Sequence, residues 1–192
     1  MDYALAIENA PASIPGGTGV LLIHPSTGET DRIDTEFLKT DTDHRLVVST
    51  RTTAREVAQK LDYYEVDRDT TDILDTLSVE RGYSRRSSER VHYVSAPDDL
   101  DGIVEATRQF LEETDGKRRI SLDSVTELAY YADEERALET VEKLLDLLAE
   151  YDAVGLFHLS EEVHDEADVE AFKQLFDGTI YLDADGTIES EF

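Results

Sequence analysis

The sequence predicts an α/β domain, with a mostly parallel sheet sandwiched by helices and a C-terminal β-hairpin. Three observations carry this. Short, unbroken apolar runs such as Val20-Leu21-Leu22-Ile23 read as strands buried on both faces, because a half-exposed strand would alternate with polar residues. Between them lie segments with apolar residues at helical spacing. Near the C-terminus, Asp185-Gly186 separates two short β-prone runs, a hairpin signal.

Residues 1–18 carry Pro11, Pro15 and Gly16-Gly17 and read as a flexible, turn-rich lead-in to a domain over 19–192. Val20–Ile23 is the first strand, His24–Thr30 a loop, and 31–39 a helix. Arg45–Ser49 repeats the strand and 54–61 the helix; 62–90 is polar and irregular, with Arg85-Arg86-Ser87-Ser88 as a mobile loop. Val91–Val94 follows as a strand. Asp98-Asp99 caps a helix to about Glu113, with Ile103, Thr107, Phe110 and Leu111 on one face. Ile120–Leu122 is a strand running into Asp123-Ser124. The segment 134–151 is a long amphipathic helix, with Leu138, Val141, Leu144, Leu145 and Leu148 in period. Val154–Leu159, a helix over 167–175, and the strands 179–182 and 187–189 complete the order. In such sheets ligands bind beyond the carboxyl ends of the strands, so the loops after Ile23, Ser49, Val94, Leu122 and Leu159 are the candidate site.

Composition narrows the function. Eighteen basic and 45 acidic residues give a net charge of −27. Self-repulsion of that size strains a small domain in dilute salt and is screened in molar salt, where the Debye length is about 3 Å. A high-salt cytoplasm, as in halophilic archaea, fits. A surface this acidic argues against nucleic acid, whose phosphates need basic partners. With no cysteine there is no disulfide and no thiolate chemistry. No apolar run is long enough to span a membrane, and the first residues lack the pattern of a signal peptide, so the expected location is cytoplasmic.

Three stretches carry a resemblance to a known family. They are Gly19-Val-Leu-Leu-Ile-His-Pro-Ser-Thr-Gly-Glu-Thr30, Arg119-Ile-Ser-Leu-Asp-Ser-Val-Thr-Glu-Leu128, and Ala153-Val-Gly-Leu-Phe-His-Leu159 with Phe176-Asp-Gly-Thr-Ile-Tyr-Leu182. Over about residues 19 to 190 the chain resembles the RecA-like ATPase core, in its KaiC-like archaeal form. The resemblance implies a phosphate loop at His24–Thr30, Asp123 in the magnesium-associated position with Ser124 beside it, and assembly through subunit contacts across the nucleotide site. The phosphate loop G-x-x-x-x-G-K-[ST] works because backbone N–H groups wrap the phosphates, the lysine neutralises charge and the hydroxyl binds magnesium. Here Gly28 and Thr30 are kept, Ile23 stands for the first glycine, and Glu29 stands for the lysine. A carboxylate there opposes phosphate, and Pro25 offers no N–H to the loop. The remaining loop residues, His24, Ser26 and Thr27, cannot replace the lysine. The water-activating glutamate that the family carries after its second strand is also missing: Leu46–Arg55 holds no carboxylate before Glu56.

The expected function is therefore a non-catalytic, KaiC-like pseudo-ATPase that regulates, signals or scaffolds through a protein partner or a homo-oligomer, without nucleic acid, membrane or required cofactor. The alternative is an ATP/magnesium-binding switch or weak ATPase with an unconventional loop, Arg51 or potassium supplying charge. A third reading places a metal at His24 and His158, with Asp123, Glu161 or His164 as further ligands. Ser26, Thr27 and Ser124 lack a G-x-S-x-G elbow and a paired base. The acidic runs Glu161-Glu162 and Asp133-Glu134-Glu135 read as solvated faces, and Tyr130-Tyr131 either as a contact surface or with one of the two packed in the core.

Overall fold

A computed structural model describes residues 1–83, 85 and 88–192. Arg86 and Ser87 of the expected 85–88 loop lie outside the described residues. Eight strands form one sheet in the order β10-β9-β3-β8-β7-β4-β5-β6: β3 (Gly19–His24), β4 (His44–Ser49), β5 (Thr71–Asp75), β6 (Val91–Tyr93), β7 (Arg118–Asp123), β8 (Val154–Ser160), β9 (Gly178–Leu182) and β10 (Ile188–Glu191). All neighbours pair in parallel except β9 and β10, the C-terminal antiparallel hairpin. Among the described residues, no helix is long and apolar enough to cross a membrane.

Burial on both faces explains the apolar runs. Every residue of β3 and of β8 is buried. On β3, Leu21 and Ile23 enter one core and Val20 and Leu22 the other, as the two-residue period of a strand requires. Helices α1 (Asp31–Lys39) and α2 (Ala54–Tyr63) cover the Val20/Leu22 face through Ile33, Phe37, Leu38, Val57 and Leu61. Helices α3 (Leu100–Glu113), α4 (Val125–Tyr131), α5 (Glu134–Glu150) and α6 (Glu166–Lys173) cover the other. The starts of these helices are chemically marked. Thr53 and Glu56 form a capping box on α2, Asp99 accepts from the Gly102 N–H on α3, and Asp133 from the Arg136 N–H on α5. The hairpin turn is set by Asp183, which accepts from the Asp185 and Thr187 N–H groups, and by Gly186 at φ +82.

The structure differs from the sequence reading in four places. Residues 1–18, expected as a flexible lead-in, hold a second, two-stranded sheet of β1 (Asp2–Ala4) and β2 (Ser13–Pro15). Tyr3, Leu5, Ile7 and Ile14 on this segment are buried, so apolar packing ties it down. Strand β5 lies within the stretch read as irregular; its acidic residues hide it from pattern reading, and pairing with β4 makes it a strand. Helix α4 was not anticipated after Ser124. Strand β7 begins two residues earlier than Ile120, and Arg118 and Arg119 on it are buried.

Candidate functional site

Strands β3, β8, β7 and β4 are parallel neighbours, so their carboxyl ends lie at one end of the sheet, and the loop from Pro25 to Thr30 leaves β3 there. The chain leaves β3 at His24 and turns at once, because the Gly28 N–H donates to the Pro25 carbonyl at 2.8 Å. A side chain at 28 would begin 3.0 Å from that carbonyl oxygen, which is why glycine stands there. The Ser26 N–H donates to Glu162 Oε1 at 2.5 Å. Bonds from the Ser26 hydroxyl and amide hold the Glu162 carboxyl below its ordinary value. Thr30 is buried at the start of α1, and its hydroxyl makes no capping bond. Glu29 is exposed and, with Thr27, Gly28 and Arg32, lines a groove of about 780 Å³ between the loop, α1 and the C-terminal hairpin.

Beneath the loop lies a buried polar row. His24 follows Leu22, and His158 follows Leu156, by one strand period, so both face the α1/α2 side of the sheet. Their rings meet edge to face at 5.6 Å, and each residue is 1% exposed. The His24 Nδ1–H donates to the Pro25 carbonyl at 2.8 Å. Asp34 projects from α1 into this row and is fully buried. It accepts from His158 Nε2 at 2.8 Å, from Lys60 Nζ of α2 at 3.1 Å and from the Ser121 hydroxyl. Burial alone would raise the Asp34 carboxyl, but Lys60, His158 and Ser121 outweigh it and hold it well below the carboxylate range. Burial works against charging His158 and Lys60 as well. The carboxylates of Asp123 and Asp34 nevertheless raise His158, and those of Asp34, Asp31 and Asp123 raise Lys60. His24 lacks so close a carboxylate, and burial lowers it.

Asp123 and Ser124, expected at a magnesium side of the site, are engaged by their own neighbours. Thr50, in the loop after β4, donates from its hydroxyl to the Asp123 carbonyl at 2.8 Å and accepts the Ser124 N–H at 2.7 Å. Arg51 pairs with Asp123 Oδ1 at 3.6 Å and with Glu127 Oε1 at 3.7 Å. The Ser124 hydroxyl donates to Glu127. Glu56, the first carboxylate after β4, accepts the Thr53 N–H at 2.8 Å and serves the α2 cap.

The structure brings His24, Ser26, Thr27, Gly28, Glu29, Thr30, Asp123, Ser124 and His158 to one end of the sheet. It does not join the histidines into a metal centre. Among the described residues, no group of three or more His, Asp or Glu side chains is arranged to hold a metal. His158 bonds Asp34, and His164 lies apart between Glu134 and Thr126, at 2.9 Å from each. Glu162 and Glu134, read as solvated, each hold a specific partner. Asp34, Lys60 and Thr50 were missed altogether. Only Asp34 left a trace in the sequence, as an acidic residue in the first turn of a helix, where helix-dipole preference hid its interior role.

Comparisons with known proteins agree with this architecture. The profile of a family described as a family of unknown function (DUF7090) matches residues 1–192. No curated protein matches. Among solved structures, a KaiC-like protein from the hyperthermophilic archaeon Pyrococcus horikoshii OT3 superposes with a TM-score of 0.66 at 17% identity, over 95% of this chain and 81% of that one. An ATPase from the type III secretion system of pathogenic bacteria gives a TM-score of 0.66 at 11% identity, over 96% of this chain and 57% of the other. At such identities the likeness shows the fold alone, and that fold is RecA-like.

Proposed function

The chain belongs to the family of unknown function DUF7090 and has a RecA-like fold, and from that premise we propose that it is a non-catalytic regulatory or scaffolding protein. One observation carries the reading. The loop that holds phosphate in ATPases of this fold turns its amides inward, Gly28 to Pro25 and Ser26 to Glu162, and presents a carboxylate, Glu29, where the lysine is needed. An anion nest needs free N–H groups and a cation. The Arg51 pairing of Asp123 supports the same reading, since a magnesium ion would compete with a guanidinium for that carboxylate.

On this reading the protein acts through contacts with a protein partner or a second copy of itself, in signalling or assembly, in a cytoplasm of archaeal salt strength. Thermal unfolding in about 2 M KCl, where the screening length is about 3 Å or less, tests it. Millimolar ATP with magnesium is expected to leave the midpoint unmoved, and no phosphate should be released. A magnesium-dependent rise of several degrees would instead establish the alternative, an ATP-binding switch, because a ligand that binds the native state must stabilise it. Glu29→Lys is expected not to restore hydrolysis, because Arg51 still holds Asp123 and no glutamate activates water. Phosphate release by the parent would overturn the reading, whereas release by Glu29→Lys alone would show that the missing lysine is the only defect. Size exclusion in the same salt distinguishes a monomer from a self-assembly.

A further inference from the structure

The loop after β8 connects the phosphate loop to the far side of the domain. His24 and Ser160 are register partners at the ends of adjacent strands, so the two chain exits lie side by side. Beyond them Pro25 has no N–H, and Ser26 offers the first amide of the loop. The 3-10 turn Glu161–Val163 reaches across with Glu162, whose carboxylate takes that amide.

The other end of the turn is fixed firmly. Thr126 Oγ1 accepts the Ser160 N–H at 3.0 Å, which leaves its own proton for His164 Nε2 at 2.9 Å. The Nδ1–H of His164 then donates to Glu134 Oε1 at 2.9 Å, so one tautomer satisfies every bond. The imidazole is 2% exposed and packs edge-on against Phe172 at 6.0 Å. The segment is thus anchored on α4 and α5 at His164 and carries an exposed carboxylate at Glu162. A charge-assisted bond from a loop amide to a carboxylate is the same interaction such an amide makes with a phosphate oxygen.

We propose that Glu161–His164 is an autoinhibitory strap in which Glu162 is a built-in anion that holds the phosphate loop closed against phosphoryl ligands. The proposal rests on the non-catalytic reading of the loop and adds the device that keeps it empty. An incoming phosphoryl group has to displace Glu162, and the anchor at His164 opposes that movement.

The test uses the full chain in molar KCl and two variants, Glu162→Ala and His164→Ala, with Glu162→Gln as the isosteric control. Hydrogen exchange of the Ser26 amide is expected to speed up about tenfold in Glu162→Ala, the loss of roughly one charge-assisted bond, while the Ser160 amide is unchanged. His164→Ala should speed both amides. Titration with pyrophosphate should then show about tenfold tighter binding to Glu162→Ala than to the unmodified protein, with Glu162→Gln between them. Unchanged exchange at Ser26 would overturn the strap. Faster exchange without tighter pyrophosphate binding would overturn its autoinhibitory role and reduce Glu162 to a loop brace. These outcomes are ratios of variant to parent, whereas ATP hydrolysis by the parent would sink the non-catalytic reading alone.

Discussion

Asp34 is where the polar interior converges. Its two oxygens serve Lys60, His158 and Ser121, in a site with no water-facing surface. Removing one partner of such a cluster leaves buried charge uncompensated, so Asp34→Asn is expected to lower unfolding free energy by roughly 3 kcal/mol in urea titration. The two histidines make the pH dependence specific. His158 is raised when folded, so the stability it adds is present in full below its unfolded value, about 6.5, and is lost as pH climbs through the folded value. His24 is lowered, so its contribution is present above about 6.5 and is lost as pH falls through its folded value. Between pH 8 and pH 6, the stability advantage of the parent over His158→Gln should therefore grow. Over the same interval its advantage over His24→Gln should shrink. Urea midpoints at the two pH values check both signs.

At the scale of elements, two connections tie neighbouring segments to the sheet. The first is Asp75, 1% exposed at the end of β5. It accepts the N–H groups of Ala54, Leu77 and Ser78 and the Ser78 hydroxyl, and so seats the start of α2 against the chain leaving β5. Asp75→Ala strands four buried donors and should cost about 3 kcal/mol, read as a lowered denaturation midpoint. The second is the β1–β2 sheet. Tyr3 donates from its hydroxyl to the Asp152 carbonyl at 2.7 Å and accepts the Arg118 N–H at 3.2 Å. Its ring also covers Arg119, whose guanidinium lies 5.3 Å from Tyr3 and 5.0 Å from Phe37 and donates to the Ala4 carbonyl. Burial pushes the Arg119 pKa down to about 10. Tyr3→Ala removes an aromatic wall from a buried cation, and the expected loss is about 4 kcal/mol. If Tyr3→Ala unfolds at the parent's midpoint, the N-terminal segment is not part of the cooperative unit.

For the whole molecule, charge dominates. With 18 cations and 45 carboxylates, the described ion pairs leave most carboxylates without a cation. Raising KCl from about 0.1 M to about 1 M shortens the Debye length from about 10 Å to about 3 Å, and the thermal midpoint is expected to rise by several degrees. Sodium sulfate stabilises by exclusion as well as screening, so KCl is the cleaner probe. A flat response to KCl would show that the carboxylates are placed so that their repulsion does not oppose folding.

Much of the fold was legible because its causes are local. Val20–Ile23 is a continuous apolar run whatever it packs against, Val154–Leu159 is nearly so, and 134–150 keeps a helical period over its length. The departure at Glu29 from the phosphate-loop pattern is likewise a property of one position in a short loop, so it can be read from residues 23 to 30 alone. What remained hidden depends on distance along the chain. Glu162 meets Ser26 across 136 residues, and His158 meets Asp34 across 124. Neither pairing alters a period or a motif. The same holds for Arg118 and Arg119, charged residues that look solvated until Tyr3, Phe37 and nearby carbonyls surround them. Residue patterning sets most of the strands and helices, though not β1, β2, β5 or α4, and places Glu29 in the loop after β3, because apolar period and residue charge are local. Only the tertiary structure decided which carboxylate fills the loop and which cations balance the interior, because strand order alone brings those groups within hydrogen-bonding distance.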